Sequence, residues 1–143
     1  MSLIEQYEKT IPNWMNEQGV YPTPAIIRLN DEKLEFAAMA IEVPEVIPYA
    51  IKTCKRPEVA ELIVALDTFT QPGQGTTLDS CLILFHLVRG QPTQIGVLEY
   101  SWNGGEPVTK PADWDNAFWR GAYAPLAREL TEAFKQNKGN YPA

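Results

Sequence analysis

The sequence predicts an α+β domain: one mixed or antiparallel sheet of about five strands, in the element order α-β-β-α-β-β-β-α, with helices packed mainly on one face. Residues 62–71, 77–89 and 93–102 are rich in Ile, Val, Leu, Phe and Thr, which suit a pleated, half-buried surface. Pro72-Gly73-Gln74-Gly75 and Gly90-Gln91-Pro92 separate these runs with turn chemistry, so the three form an antiparallel meander. Apolar residues of helical period occur before and after the meander, which supplies the helices that must cover it.

At the N-terminus, Ser2-Leu3-Ile4-Glu5 has the form of a capping box, a serine hydroxyl for the Glu5 amide and a glutamate reaching back. Leu3, Ile4, Tyr7, Ile11, Trp14 and Met15 follow at helical spacing, and Gly19 is placed to end the helix in a left-handed conformation. Pro12 lacks a backbone donor and clashes with the preceding turn, so a kink or two short helices are expected there. Tyr21-Pro22-Thr23-Pro24 then enforces an extended link. Residues 25–29 and 33–41 read as two strands joined by Asn30-Asp31-Glu32, a β-hairpin. Val46, Ile47, Ala50, Ile51 and Cys54 give residues 43–55 a helical period, with Pro44 or Pro48 in the first turn and Pro57 as the stop.

Residues 57–66 fit a helix as well as a strand. Thr68, Phe69 and Thr70, followed by a Gly/Pro loop, favour strand from 62 onward. After the meander, Asn103-Gly104-Gly105 is a tight reversal into a short edge strand at 107–110. Asp113 or Asp115 would cap a helix containing Trp114, Phe118 and Trp119. Gly121 and Pro125 interrupt it before Leu126, Ala127, Leu130 and Phe134 resume the pattern, with Lys135, Lys138 and Gly139 at its end. How the early hairpin joins the later meander does not follow from the sequence.

The 143 residues form one domain, 1–143, of ordinary composition, 45% hydrophobic and 21% charged. A net charge of −6 argues against nucleic acid, since phosphate binding draws on clustered Lys and Arg. Lys52, Lys55 and Arg56 come nearest to a basic patch, at one helix end. Cys54 and Cys81 form no CxxC pair and no metal spacing with the single histidine, so they read as buried thiols in a reducing compartment. The N-terminus has no basic segment before an apolar one, and no run approaches the roughly 18 apolar residues that span a bilayer. A cytoplasmic protein with no membrane partner is expected.

His86 shares a strand face with Leu82, Leu84 and Val88; a base or metal ligand would need an orienting acid that no local spacing supplies, so a hydrogen-bonded structural histidine is the simpler reading. If Gln71 pairs with Thr77, Asp67 faces Cys81 and Asp79 faces Phe69, making the two acids diagonal neighbours able to perturb each other or share a cation. Solvated acids on an open sheet face are the plainer account. Gly73-Gln74-Gly75-Thr76 lacks the lysine and helix of a phosphate loop, and Ser80 and Ser101 lack the context of a nucleophile. No motif implies a cofactor or a bound metal. On one helix Trp114 and Phe118 form one stripe, Trp119 and Tyr123 a second, offset by about 100°. One stripe packs on the sheet; the other, beside Arg120, is suited to an interface.

Two functions fit these residues. The first is a non-enzymatic protein-interaction module whose partner is a second copy of itself or another protein, meeting it through the aromatic helix. The second is a small-molecule binder or hydrolase-like enzyme using Asp67 and Asp79, with His86 or Glu99, under that helix.

Overall fold

Alternation along the three long strands gives the sheet two apolar faces, and the chain covers both. The computed structural model describes residues 2–71, 73 and 75–139. Among them, helix α1 (Leu3–Thr10) and a 3-10 turn (Ile11–Trp14) lead into a two-residue ribbon, β1 (Met15–Asn16) and β2 (Gly19–Val20). Strands β3 (Thr23–Leu29) and β4 (Leu34–Met39) form the first hairpin, helix α2 (Val43–Cys54) follows, and β5 (Val59–Phe69), β6 (Ser80–Val88) and β7 (Gln94–Asn103) make the meander. Strand β8 (Glu106–Thr109), α3 (Ala117–Ala122) and α4 (Ala124–Lys135) complete the fold. The main sheet is antiparallel, in the order β4-β3-β5-β6-β7-β8.

Six strands replace the expected five, because β8 hydrogen-bonds to β7 as a true edge. Residues 57–66, ambiguous between helix and strand, enter β5 at Val59. The early hairpin joins through β3 beside β5, which leaves β4 at the sheet's outer edge. The helices pack mainly on one face, as expected, with α1 alone on the other. Val46, Ala50 and Cys54 of α2, Trp119 of α3 and Leu130 and Phe134 of α4 pack with Leu62, Val64, Ile83 and Phe85 on one face. Leu3, Tyr7 and Ile11 pack with Ile63, Ala65, Leu82 and Leu84 on the other.

Local chemistry explains most boundaries. Ser2 caps α1, its Oγ accepting the Glu5 N–H at 3.1 Å while its hydroxyl donates to Glu5 Oε1. The α-helix stops at Thr10, and Pro12 falls in the first turn of the 3-10 segment. The break expected at Pro12 is made as an α-helix followed by a 3-10 turn, whereas Gly19, at φ 134°, lies in β2 instead of ending a helix. The second helix begins as expected with Pro44 in its first turn. The third starts later than expected: Asn116, not Asp113 or Asp115, is the cap, its Oδ1 accepting Trp119 N–H at 3.0 Å. Trp114 thus precedes the helix.

The meander register is one residue away from the expected one. Asp67 faces Leu82 and Phe69 faces Ser80, where Cys81 and Asp79 were expected. Glu99 of β7 supplies the reason. Its buried carboxylate accepts the backbone N–H groups of Thr77 and Leu78, the latter at 2.8 Å, and so holds these residues off the ladder. The connection runs from 70 to 79 and closes where Thr70 N–H donates to Asp79 C=O at 3.1 Å.

Past α4, Asn137 ties the segment after that helix to the turn between α2 and β5. Its buried Nδ2 donates to the carbonyls of Cys54 (2.9 Å), Arg56 (2.7 Å) and Val59 (3.2 Å). Asn137→Ala leaves buried acceptors unmet and is expected to destabilise by about 1.5 kcal/mol. A lower urea midpoint at unchanged slope is the signature.

Candidate functional site

Three polar groups interrupt the apolar faces, and each involves a residue singled out from the sequence. The first joins three strands. Arg28 of β3 stands opposite Glu61 of β5, and His86 of β6, opposite Ile63, reaches Glu61 diagonally. Glu61 Oε1 accepts from Arg28 Nε at 2.7 Å, its Oε2 meets His86 Nε2, and Arg28 extends to Glu32 at 3.0 Å. Burial works to raise the pKa of Glu61, but the hydrogen bonds from His86 and Arg28 outweigh it and hold the carboxyl below the usual range. His86 thus has the orienting acid that no sequence spacing revealed. The ring of Trp114 tilts over it at 5.9 Å between centroids. The direct strand neighbours on that face, Ile63, Leu84 and Gln94, carry no nucleophile.

Asp67 forms the second group. It accepts from Val20 N–H at 3.1 Å and from the Tyr100 hydroxyl, anchoring β2 to the sheet. Here burial prevails over those hydrogen bonds and raises the carboxyl pKa. The fit is tight: a Cβ on Gly19 would stand 2.8 Å from Asp67 Oδ2. Asp79 is exposed at the end of the 70–79 connection. The expected diagonal relation with Asp67 is lost with the register, since a one-residue slip sends a side chain to the opposite face.

Glu99 is the centre of the third group, on the face that carries α2 and α4. Besides the loop amides it meets Lys110 Nζ at 3.5 Å. Burial opposes its ionisation, but the two amides and Lys110 hold its pKa below the usual range. The sheet candidates therefore do not converge. His86 pairs with Ile63, four residues from Asp67, a separation of about 13 Å along the strand. Among the described residues, no three His, Cys, Asp or Glu side chains are grouped so as to hold a metal ion. Both cysteines are buried and free, and burial pushes the Cys54 thiol up to about 11 and the Cys81 thiol up to about 12.

The aromatic residues divide differently from the two expected stripes. Trp119 is buried; it stacks on Tyr123 at 5.9 Å, and Tyr123 meets Phe85 edge-on at 5.7 Å. Phe118, 47% exposed, packs edge-on against Trp119 at 4.9 Å, with exposed Arg120 nearby in the same helix. Trp114 belongs to the other face of the sheet, against Gly96.

One feature escaped the sequence: the free edge of β4. Leu29 N–H donates to Lys33 C=O at 2.8 Å, so odd-numbered residues of this strand face β3. Leu34 and Phe36 then turn their N–H and C=O outward by the alternation of an antiparallel ladder. Their side chains are 39% and 53% exposed. The opposite edge, β8, is only four residues long and contains Pro107, two devices that discourage strand addition. No helix among the described residues is long and apolar enough to cross a membrane. Comparison with family models, curated proteins and solved structures found no match.

Proposed function

We propose that this chain is a non-enzymatic interaction module that self-associates through the β4 edge. The observation that carries this reading is the pair of outward-facing residues, Leu34 and Phe36, on a six-residue strand with no proline in it. A second copy is the natural occupant. Two β4 edges related by a two-fold axis beside Phe36 are self-complementary: N–H meets C=O, and the exposed rings come together on the same face. Glu35, which would approach its own counterpart, is held by Arg56 at 2.9 Å, a guanidinium it shares with Glu58. Phe118 and Arg120 offer a second surface for another protein, with Trp119 and Tyr123 as its support. The sheet carboxylates, by contrast, are occupied in holding β2, the 70–79 connection and His86.

Sedimentation equilibrium from micromolar to millimolar concentration tests the reading. Wild type is expected to pass from monomer to dimer, Phe36→Lys to remain monomeric with an unchanged melt, and Phe118→Ala to dimerise like wild type. A wild type that is monomeric throughout overturns it, as does a dimer that Phe118→Ala dissociates and Phe36→Lys does not.

A further inference from the structure

We infer that the cleft between the start of β7 and helices α3 and α4 binds the C-terminal end of an extended peptide, pairing with its backbone and taking its carboxylate. The cleft has a volume of about 530 Å3. That lies within the roughly 300–1,000 Å3 of ligand sites and suits a chain terminus better than a long strand.

The backbone of β7 supplies one half of the site. Strand β8 pairs with β7 only at Tyr100–Asn103, after which the chain makes a single bridge, Val97 to Asp113, and departs toward α3. Val97 and Asp113 exchange both hydrogen bonds at 2.8 Å. Ile95, two residues earlier, points its N–H and C=O to the same side, where no strand among the described residues runs beside it. Neither group has a hydrogen-bond partner among the described residues, although Ile95 is only 7% exposed. The N–H and C=O of this one residue are what a single residue of an added peptide pairs with; the next outward position is closed, since Thr93 N–H donates to Thr131 Oγ1 at 2.9 Å, which suits a chain terminus.

Charge supplies the other half. Arg120 from α3 and Arg128 from α4 both line the cleft. Arg128 has no ion pair among the described residues, and Arg120 has one at 3.9 Å, to Asp115, whose side chain is 96% exposed. Asp115 also lines the cleft, so two guanidinium groups face one carboxylate there; in a chain of net charge −6, that local excess of positive charge favours an anion. The planar donors of a guanidinium match a carboxylate. Trp114 lines the cleft too, giving an apolar wall for a side chain of the peptide. A free anion would use the guanidinium groups alone; only a carboxylate next to an amide would also engage Ile95.

The full chain, labelled with 15N, is titrated with acetyl-trialanine as the free acid, with its C-terminal amide and with inorganic phosphate. The acid is expected to shift the Ile95 amide and the Trp114 indole resonances at millimolar concentration, and the amide form to bind at least about tenfold more weakly. Arg128 is exposed, so Arg128→Gln should keep the wild-type melt while weakening the acid by a similar factor. Equal binding of acid and amide overturns the inference. So does phosphate that binds as tightly as the acid, or an acid that leaves both resonances unmoved. Monomeric Phe36→Lys protein should bind the acid as wild type does, which separates this site from the β4 edge.

Discussion

Glu61→Ala is expected to destabilise the fold by about 3 kcal/mol, near the low end for removing one partner of a buried ion pair. The substitution leaves His86, whose side chain is 12% exposed, with its Nε2 facing no acceptor, and frees Arg28 from its central partner. Arg28 is 32% exposed and keeps Glu32, so it relaxes toward water and limits the loss. Urea denaturation measures the effect. A cost below about 1 kcal/mol would place the cluster with solvent-exposed ion pairs and sink the claim that it is buried. Removing the histidine as well, in Glu61→Leu with His86→Leu, should recover part of the stability, because apolar side chains of similar volume replace buried polar ones without an orphaned partner.

The same carboxylate makes stability depend on pH in a defined direction. Its folded pKa lies below the usual value, so between the folded and unfolded pKa values the unfolded chain binds more protons and stability rises with pH. Its contribution is complete above the unfolded value of about 4.3 and is lost as pH falls through the folded one. Glu99 acts in the same direction. Asp67 acts in the opposite one: its raised pKa means that ionisation works against folding, and acid relieves that strain. The gap between wild type and Glu61→Ala should therefore be widest above pH 5 or so and narrow in acid.

Why these groups escaped the sequence is a matter of range. The meander was legible because β-branched runs and turn residues are local signals, and so was the break at Pro12. The Arg28–Glu61–His86 cluster joins three strands, and its members are 33 and 25 residues apart. A lone arginine in 25–29 and a lone glutamate in an apolar run were its only trace. The register failed for a similar reason: Glu99, 21 residues away, decides where Leu78 lies, and turn propensity carries no record of it. The helix start was ambiguous because Asp113, Asp115 and Asn116 are all good caps. The bridge between Val97 and Asp113 selects the last, since it holds Asp113 in the sheet. Consequently Trp114, which local period would place on a helix face, lies on the sheet instead.

Gly96→Ala is expected to cost about 2–3 kcal/mol, through overpacking alone. Gly96 is not among the glycines with positive φ, so the backbone tolerates alanine and only the added methyl matters. That methyl would lie 2.7–2.8 Å from three ring atoms of Trp114. The indole is rigid and cannot fold away as a lysine tip would. It must lift off the sheet, giving up contact with the strand and uncovering His86. Gly121→Ala serves as the control: it has open space around it within α3, and alanine there should stabilise by roughly 0.5–1 kcal/mol. A double-mutant cycle with Trp114→Ala isolates the contact. Once the indole is gone, alanine at position 96 should be neutral or favourable, since glycine weakens a strand interior. A coupling below about 0.5 kcal/mol would show that the ring does not rest on Gly96. The same lift would move one wall of the cleft beside Ile95, so Gly96→Ala should weaken acetyl-trialanine binding without touching either arginine. Stability and ligand binding thus meet at one ring, whose position on the sheet depends on the absence of a single methyl group.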